Sequence, residues 1–110
     1  MPAPVIVALD YESEAEALAL VSRLGPSAEF YKVGLQLLVE AGPLAVRELV
    51  RMGKRVFLDL KLHEIPNSVA SGVTAAGKLG ASFVTVHASA GSMALKAAVA
   101  AAKPFPELRV

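Results

Sequence analysis

The sequence contains no cysteine among its 110 residues. This absence excludes a disulfide framework and any metal centre with thiolate ligands, and it is compatible with the reducing cytoplasm, where we expect the protein. The chain also has almost no net charge, because its 11 Lys and Arg residues nearly balance its 10 Asp and Glu residues. Nucleic acids and anionic membranes attract clustered basic residues, so neither is an expected partner.

Long hydrophobic segments are also missing. Residues 1–4 lack the basic stretch and the long apolar run of a secretory signal. The other apolar runs are short or rich in alanine, so none of them predicts a membrane span. Hydrophobic residues nevertheless make up 55% of the chain and charged residues 19%. This composition and length predict one small domain with a sizeable core.

Segments typical of strands and helices alternate along the chain. Short apolar runs rich in β-branched or aromatic residues predict strands, and longer runs with helical spacing predict helices bounded by glycine or proline. The predicted strands are 4–10, 30–34, 55–62 and 82–88, and 108–110 predicts the opening of a fifth. The predicted helices are 14–24, capped by Ser13, then 37–52, with Gly42 and Pro43 near its true start, 67–79 and 92–103.

Four strand–helix units in series favour a parallel sheet. No G-x-G-x-x-G follows the first strand, which disfavours a dinucleotide-binding fold. Instead, each predicted strand has polar groups near its carboxyl end: Asp10, Lys32, Asp59 with Lys61, and His87. Functional groups occupy that end of the strands in (β/α)8 TIM barrels. We therefore predict an α/β fold of this type, of which residues 1–110 form the first four β/α units, a half-barrel. Such a half is either a fragment or a unit that associates to close its sheet.

Asp59, Lys61 and Glu64 form a D-x-K-x-x-E pattern at the end of the third predicted strand. Alternate residues of a strand share a face, so Asp59 and Lys61 are expected on the same side, about 6.6 Å apart along the chain. Neighbouring carboxylates favour the protonated form of a lysine. A protonated Lys61 in a site is a proton donor or an anion ligand; the alternative is a purely structural ion pair.

The chain resembles orotidine 5'-phosphate decarboxylase, specifically the N-terminal half of that enzyme, and the resemblance covers essentially residues 1–110. The matching segments are 7–10, 31–34, 57–67 and 85–88, in the order and at the spacing usual in that family. The run Asp-Leu-Lys-Leu-His-x-Ile-Pro-Asn at 59–67 is highly specific. The resemblance implies decarboxylation of orotidine 5'-phosphate to uridine 5'-phosphate in pyrimidine synthesis, with no metal or organic cofactor.

The resemblance also implies roles for single residues. Lys61 is the general acid that protonates C6 of the pyrimidine as carbon dioxide departs. Asp59 lies beside the substrate carboxylate and holds Lys61. Asp10 and Lys32 bind ribose hydroxyls and complete the network of charges.

A second group of residues is implied to act across the interface of a homodimer. Glu64 and Ser68 stand where the family has an aspartate and a threonine that reach the partner's site, and Ile65, Pro66 and Asn67 belong to the same binding loop. Two departures from the family matter. Glu64 is about one methylene longer than the aspartate it replaces. Residues 1–110 also do not include the phosphate-binding loops that follow the seventh and eighth strands of such barrels. We therefore expect the isolated chain to have little or no activity.

Two other functions remain open. One is a magnesium-dependent sugar-phosphate decarboxylase or aldolase of the same barrel superfamily, which is disfavoured because Lys32 stands near the position of an acidic metal ligand. The other is a non-catalytic half-barrel that associates with itself. Outside the central pattern, we interpret His87 as a hydrogen-bonded structural residue and His63 as a packing or interface residue.

Overall fold

Strands and helices alternate along residues 4–110, the part of the chain that this computed structural model describes. Residues 1–3, within the segment that lacks the features of a secretory signal, lie outside the described residues. The strands are β1 (Ile6–Ala8), β2 (Phe30–Gly34), β3 (Arg55–Leu62) and β4 (Phe83–Val86). The helices are α1 (Glu14–Leu24), α2 (Leu35–Ala41), α3 (Pro43–Arg51), α4 (Pro66–Leu79) and α5 (Ser92–Ala102).

The four strands form one parallel sheet in the order β1-β2-β3-β4. Lys32 of β2 lies opposite Ala8 of β1 and Phe57 of β3, and Gly34 lies opposite Asp59. Because all strands run the same way, their carboxyl ends meet at one edge, which we call the carboxyl rim: the ends of β1 to β4 at Ala8, Gly34, Leu62 and Val86. The predicted parallel sheet with helices between its strands is confirmed.

Local signals explain where most helices begin and end. Ser13 caps α1 by accepting a hydrogen bond from the Glu16 N–H (3.2 Å), which satisfies one of the free donors of the first turn. Pro66 starts α4, where its missing N–H is not needed, and Gly80 ends that helix at a φ of 88°. Glycine adopts this left-handed conformation without steric strain.

The helix predicted over 37–52 is wrong in one respect, because the structure contains two helices there. Gly42, at a φ of 73°, ends α2, and Pro43 occupies the first turn of α3. A proline cannot donate the hydrogen bond that a continuous helix requires at that point. The apolar periodicity continues across the break, so the periodicity alone does not reveal it.

Three predicted strands are longer than the observed ones. The first pairs only over Ile6–Ala8, and the fourth ends at Val86 because His87 begins a 3-10 turn. In the predicted fifth strand only Arg109 pairs: its N–H donates to Ser82 O (2.9 Å), and its carbonyl accepts from the Val84 N–H (3.0 Å). This short parallel contact occupies the outer edge of β4.

The core lies between one face of the sheet and the helices. Alternate residues of the strands are fully buried on this face: Tyr31, Val33, Val56, Leu58 and Val84. The other face has an aromatic group near the amino ends of the strands, in which the Phe83 ring centroid lies 5.5 Å from that of Phe30 and 5.7 Å from that of Phe57. Toward the carboxyl rim the same face becomes polar. No helix within residues 4–110 combines the length and the hydropathy needed to cross a membrane.

Candidate active site at the carboxyl rim

Asp59, near the end of β3, is the centre of the polar group at the carboxyl rim. Its Oδ2 accepts a hydrogen bond from Lys61 Nζ at 2.8 Å and lies 3.7 Å from Lys32 Nζ. Its Oδ1 accepts a hydrogen bond from the Thr85 hydroxyl at 2.9 Å. The Asp59 side chain is only 14% exposed. The structure thus brings Asp59, Lys61 and Lys32 together from two neighbouring strands.

These partners hold the Asp59 carboxyl group in its ionised form. The hydrogen bond from Lys61 is the main cause that lowers the pKa of Asp59 below its ordinary value. Partial burial opposes this effect, and the Thr85 hydrogen bond and the charges of Lys61 and Lys32 lower the pKa further. One partly buried carboxylate between two ammonium groups gives the cluster of Asp59, Lys61 and Lys32 a net positive charge, which favours an anionic ligand or a developing negative charge.

The backbone of β3 is irregular where these side chains meet. Leu58 pairs with Val84 and Leu62 pairs with Val86, so three residues of β3 lie opposite the single residue Thr85 of β4. Lys61 lies in this segment with a φ of 50°, the one positive value at a non-glycine residue in the part of the chain that the structure describes. The simple strand geometry expected here is therefore wrong. Leu60 and Leu62 still pack against the core.

Asp10 lies beyond the end of β1 and is exposed. Its Oδ1 is 3.8 Å from the position that a Cβ atom on Gly34 would take, and Gly34 pairs with Asp59. Within residues 4–110 its carboxylate makes no hydrogen bond or ion pair. The structure therefore brings Asp10 to the same rim without joining it to the Asp59 network.

The loop after β3 contains the remaining candidate residues. Glu64 and Ile65 precede α4, and the first turn of this helix carries the others; all five are exposed: Glu64, Ile65, Pro66, Asn67 and Ser68. Ile65 is 68% exposed. No side chain of this group hydrogen-bonds or pairs with another described residue, so the structure does not bring Glu64 to Lys61 of its own chain.

The two histidines of the chain pack against each other at the ends of β3 and β4. Their ring centroids are 4.7 Å apart and their planes differ by 18°. His87 Nδ1 accepts a hydrogen bond from the Ser89 N–H at 3.1 Å. His87 thus makes a hydrogen bond and the His63 ring stacks on it, while both residues are exposed; their interpretation as structural residues stays a prediction.

Sequence reasoning gave no role to Thr85, although it touches both Asp59 and Lys61. A signal was present, because Thr85 lies two residues before His87 on the strand next to β3, and the alternation of a strand puts it on the polar face. Within residues 4–110 no three side chains of the metal-ligating kinds come together. The ammonium groups of Lys32 and Lys61 would also repel a divalent cation beside Asp59.

Comparison with known proteins identifies the family of the chain. A sequence model described as "Orotidine 5'-phosphate decarboxylase / HUMPS family" matches residues 3–109. The chain belongs to this family. The orotidine 5'-phosphate decarboxylase of Sodalis glossinidius is 50% identical over 102 residues, which are 93% of this chain and 40% of that protein.

Two solved structures of the same family share the fold. The crystal structure of orotidine 5'-phosphate decarboxylase from Lactobacillus acidophilus has a TM-score of 0.82 and 46% identity, covering 88% of this chain and 44% of that one. The enzyme from Methanocaldococcus jannaschii, complexed with inhibitor BMP, has a TM-score of 0.86 and 26% identity, covering 94% and 48%. The chain spans less than half the length of each relative. The four units correspond to half of a barrel of this family, so the predicted fold class is confirmed.

Proposed function

We propose that residues 1–110 supply the first four β/α units of an orotidine 5'-phosphate decarboxylase, and that their carboxyl rim takes part in converting orotidine 5'-phosphate to uridine 5'-phosphate for pyrimidine synthesis. One observation carries this proposal: two ammonium groups approach the same oxygen of Asp59. Lys61 Nζ lies 2.8 Å from Oδ2 and Lys32 Nζ lies 3.7 Å from it. Membership of the family supports it independently.

Lys61 is the general acid of the proposed reaction. When the bond between C6 and the carboxylate breaks, carbon dioxide leaves and its bonding electron pair stays on C6 of the pyrimidine. The ammonium group of Lys61 stabilises this charge and then transfers a proton to C6, which leaves a neutral amine. The hydrogen bond to Asp59 at 2.8 Å holds the Lys61 ammonium group in place until that transfer.

Asp59 has a second role beside the carboxylate of the substrate. Two like charges about 4 Å apart repel by roughly 4 kcal/mol at an effective dielectric constant of 20. This repulsion is smaller than the roughly 8–23 kcal/mol by which enzymes lower barriers. Binding energy from the distant phosphate group is a natural further source of barrier lowering, because the phosphate is bound away from the bond that breaks.

The remaining candidates bind the substrate in two groups. Asp10 and Lys32 accept and donate hydrogen bonds to ribose hydroxyls, and the exposure of Asp10 at the rim supports this role. The exposed loop residues complete the site of a partner in a cytoplasmic homodimer: Glu64, Ile65, Pro66, Asn67 and Ser68. Their lack of polar partners within the described part of their own chain supports the assignment. The reaction uses no metal ion or organic cofactor, because the lysine itself stabilises and protonates the anion.

A chimera tests the proposal directly. Residues 1–110 replace the matching part of the Lactobacillus acidophilus enzyme, and turnover of orotidine 5'-phosphate is followed by absorbance. We expect the chimera to be active and Lys61→Ala to lower kcat by about 10²–10⁴-fold, the range for loss of a general acid. Lys96→Ala, at an exposed position of α5, is the matched control. A folded but inactive chimera, or a fully active Lys61→Ala variant, contradicts the proposal.

The chain of 110 residues is assayed alone in the same way. The four strands described here do not include the seventh and eighth strands whose loops bind phosphate in such barrels. We therefore expect little or no turnover. A rate near that of the full-length relative would show that the phosphate loops are dispensable.

A further inference from the structure

Thr85 connects the two residues to which the proposed function assigns the chemistry. Its Oγ1 accepts a hydrogen bond from the Lys61 backbone N–H at 2.9 Å and donates one to Asp59 Oδ1 at 2.9 Å. The direction of each bond is fixed, because an amide N–H only donates and an ionised carboxylate only accepts. The one hydroxyl proton therefore belongs to the bond with Asp59.

We propose that Thr85 is a positioning residue, whose hydroxyl holds the Lys61 backbone and the Asp59 carboxylate in the arrangement that proton transfer to C6 requires. The catalytic meaning of this inference rests on the proposed function. Thr85 acts through Lys61 and Asp59 and is not itself assigned a contact with the substrate.

The irregular pairing of β3 and β4 is the first support. Three residues of β3 lie opposite Thr85, so the regular ladder between the strands is interrupted there. At such a break the Lys61 N–H loses its partner in the backbone ladder. The Thr85 hydroxyl takes the place of the missing backbone acceptor.

The unusual conformation of Lys61 is the second support. A φ of 50° at a non-glycine residue is strained and persists only where surrounding contacts hold it, as often happens at functional sites. The hydrogen bond from the Lys61 N–H to Thr85 is such a contact. It fixes the point from which the lysine side chain returns to Asp59.

The third support is that the two oxygens of the Asp59 carboxylate have different partners. Thr85 occupies Oδ1, whereas Lys61 and Lys32 both approach Oδ2. Without the hydroxyl the carboxylate is free to rotate about its terminal bond and to offer either oxygen to either ammonium. Since a misplacement near 1 Å can lower a rate by about a hundredfold, this restraint has consequences for proton transfer.

The test compares variants of the 110-residue chain by NMR. Thr85→Val keeps the shape and removes the hydroxyl, Thr85→Ser keeps the hydroxyl, and Thr74→Val makes the same chemical change in the middle of α4. We expect Thr85→Val to raise the pKa of Asp59, followed by the carboxyl carbon signal, and to accelerate exchange of the Lys61 amide proton several-fold. Thr85→Ser restores both values, and Thr74→Val changes neither.

Unchanged Asp59 titration and unchanged Lys61 exchange in a folded Thr85→Val variant overturn the inference. So does a Thr85→Ser variant that behaves like Thr85→Val, because the methyl group would then matter and not the hydroxyl. If Thr85→Val does not fold, Thr85→Ala is measured in its place, because alanine also lacks the hydroxyl and is too small to overpack. The Asp59 titration and the Lys61 amide exchange are then interpreted in the same way.

The titration uses no substrate, so its result is independent of whether the chimera decarboxylates orotidine 5'-phosphate. In an active chimera, Thr85→Val is also expected to lower kcat more than it raises KM, because positioning of the acid matters in the transition state. If the chimera is inactive but Thr85→Val raises the pKa of Asp59, the proposed function is contradicted and the positioning role of Thr85 is supported. An active chimera in which Thr85→Val changes neither kcat nor the titration overturns the restraint alone.

Discussion

Lys61 Nζ lies 2.8 Å from Asp59 Oδ2, and Lys61 makes this contact from a left-handed backbone conformation with a φ of 50°. The two residues are neighbours in the irregular segment of β3, and a regular strand would not require this conformation. A left-handed residue with a Cβ atom is less stable than a right-handed one by roughly 1–2 kcal/mol. The contact between lysine and aspartate is therefore maintained against a local backbone preference.

The strain at Lys61 predicts an unusual order of stability between two variants. Lys61→Ala and Lys61→Gly both remove the ammonium group, but only glycine relieves the left-handed conformation. We expect Lys61→Gly to be more stable than Lys61→Ala by about 1 kcal/mol. Urea unfolding followed by circular dichroism measures the difference.

Leu60 provides the matched control for this comparison, because it is the adjacent residue of β3 and its φ is not positive. Here Leu60→Gly is expected to be less stable than Leu60→Ala by about 0.5–1 kcal/mol, the ordinary effect of glycine in a strand. If Lys61→Gly is also the less stable member of its pair, the Lys61 backbone is not strained.

The carboxyl group of Asp59 predicts a pH dependence of stability. Hydrogen bonding from Lys61 lowers its pKa in the folded state below the ordinary value of 3.8. A group of this kind stabilises the fold fully above its unfolded pKa, and the stabilisation is lost as the pH falls through the folded pKa. We expect the difference in unfolding free energy between the parent and Asp59→Asn to be constant from pH 7 to about 5 and to shrink at lower pH.

The two lysines are expected to contribute unequally to this dependence. Lys61 donates a hydrogen bond to Asp59 at 2.8 Å, whereas Lys32 acts by charge at 3.7 Å. Lys61→Met should therefore raise the Asp59 pKa more than Lys32→Met does, as measured by carboxyl carbon NMR. An equal rise of the Asp59 pKa in Lys61→Met and Lys32→Met contradicts the observed arrangement. So does a difference in unfolding free energy between the parent and Asp59→Asn that stays constant below about pH 5.

Tyr31 predicts a substitution that does not destabilise the protein. This residue of β2 is fully buried, and its hydroxyl has no hydrogen-bond partner among residues 4–110. Burial also raises the pKa of the phenol group. An unpaired buried polar group is unfavourable by about 1–3 kcal/mol, so Tyr31→Phe should leave the unfolding free energy unchanged or increase it by up to that amount.

Denaturant unfolding measures the effect, and Tyr11→Phe at a half-buried position is the control. We expect little change for the control. A loss of more than about 1 kcal/mol in Tyr31→Phe would mean that the hydroxyl is paired in solution, because a hydrogen bond contributes about that much.

The order of the strands and helices followed from local signals. Short apolar runs separated by glycine or proline predicted every strand, and the regular alternation with helices required a parallel sheet. The meeting of Asp59 and Lys61 also followed, because strand alternation put both on one face near the carboxyl end of β3, whereas Lys32 was included in the same charge network by the resemblance. These features depend on spacing along the chain, which the sequence contains directly.

The break at Gly42 was anticipated only in part: Gly42 and Pro43 indicated a helix start there, but the apolar positions of α2 and α3 continue one helical pattern across the break. The irregularity of β3 cannot be predicted from its own residues, since 55–62 alternate as a regular strand would. At this irregularity the hydroxyl of Thr85, on the neighbouring strand, accepts the hydrogen bond of the Lys61 N–H.

Glu64 predicts a variant with increased activity. The resemblance places an aspartate at this position, and Glu64 is exposed, with no ion pair in the part of its own chain that the structure describes. If it serves the partner's site, its extra methylene moves the carboxylate by about 1 Å, a displacement that can lower a rate by about a hundredfold. We expect Glu64→Asp in the Lactobacillus acidophilus chimera to raise kcat/KM by up to that factor.

Steady-state kinetics of the chimera measures the effect of this substitution. Glu107→Asp removes a methylene from another exposed glutamate and should leave kcat/KM unchanged. A carboxylate that reaches across a dimer interface acts only when two copies associate, so the gain from Glu64→Asp should disappear as the protein is diluted below its dimerisation constant. An unchanged or lowered kcat/KM in the dimer would show that the longer side chain already meets the geometric requirement, or that position 64 does not serve the partner's site.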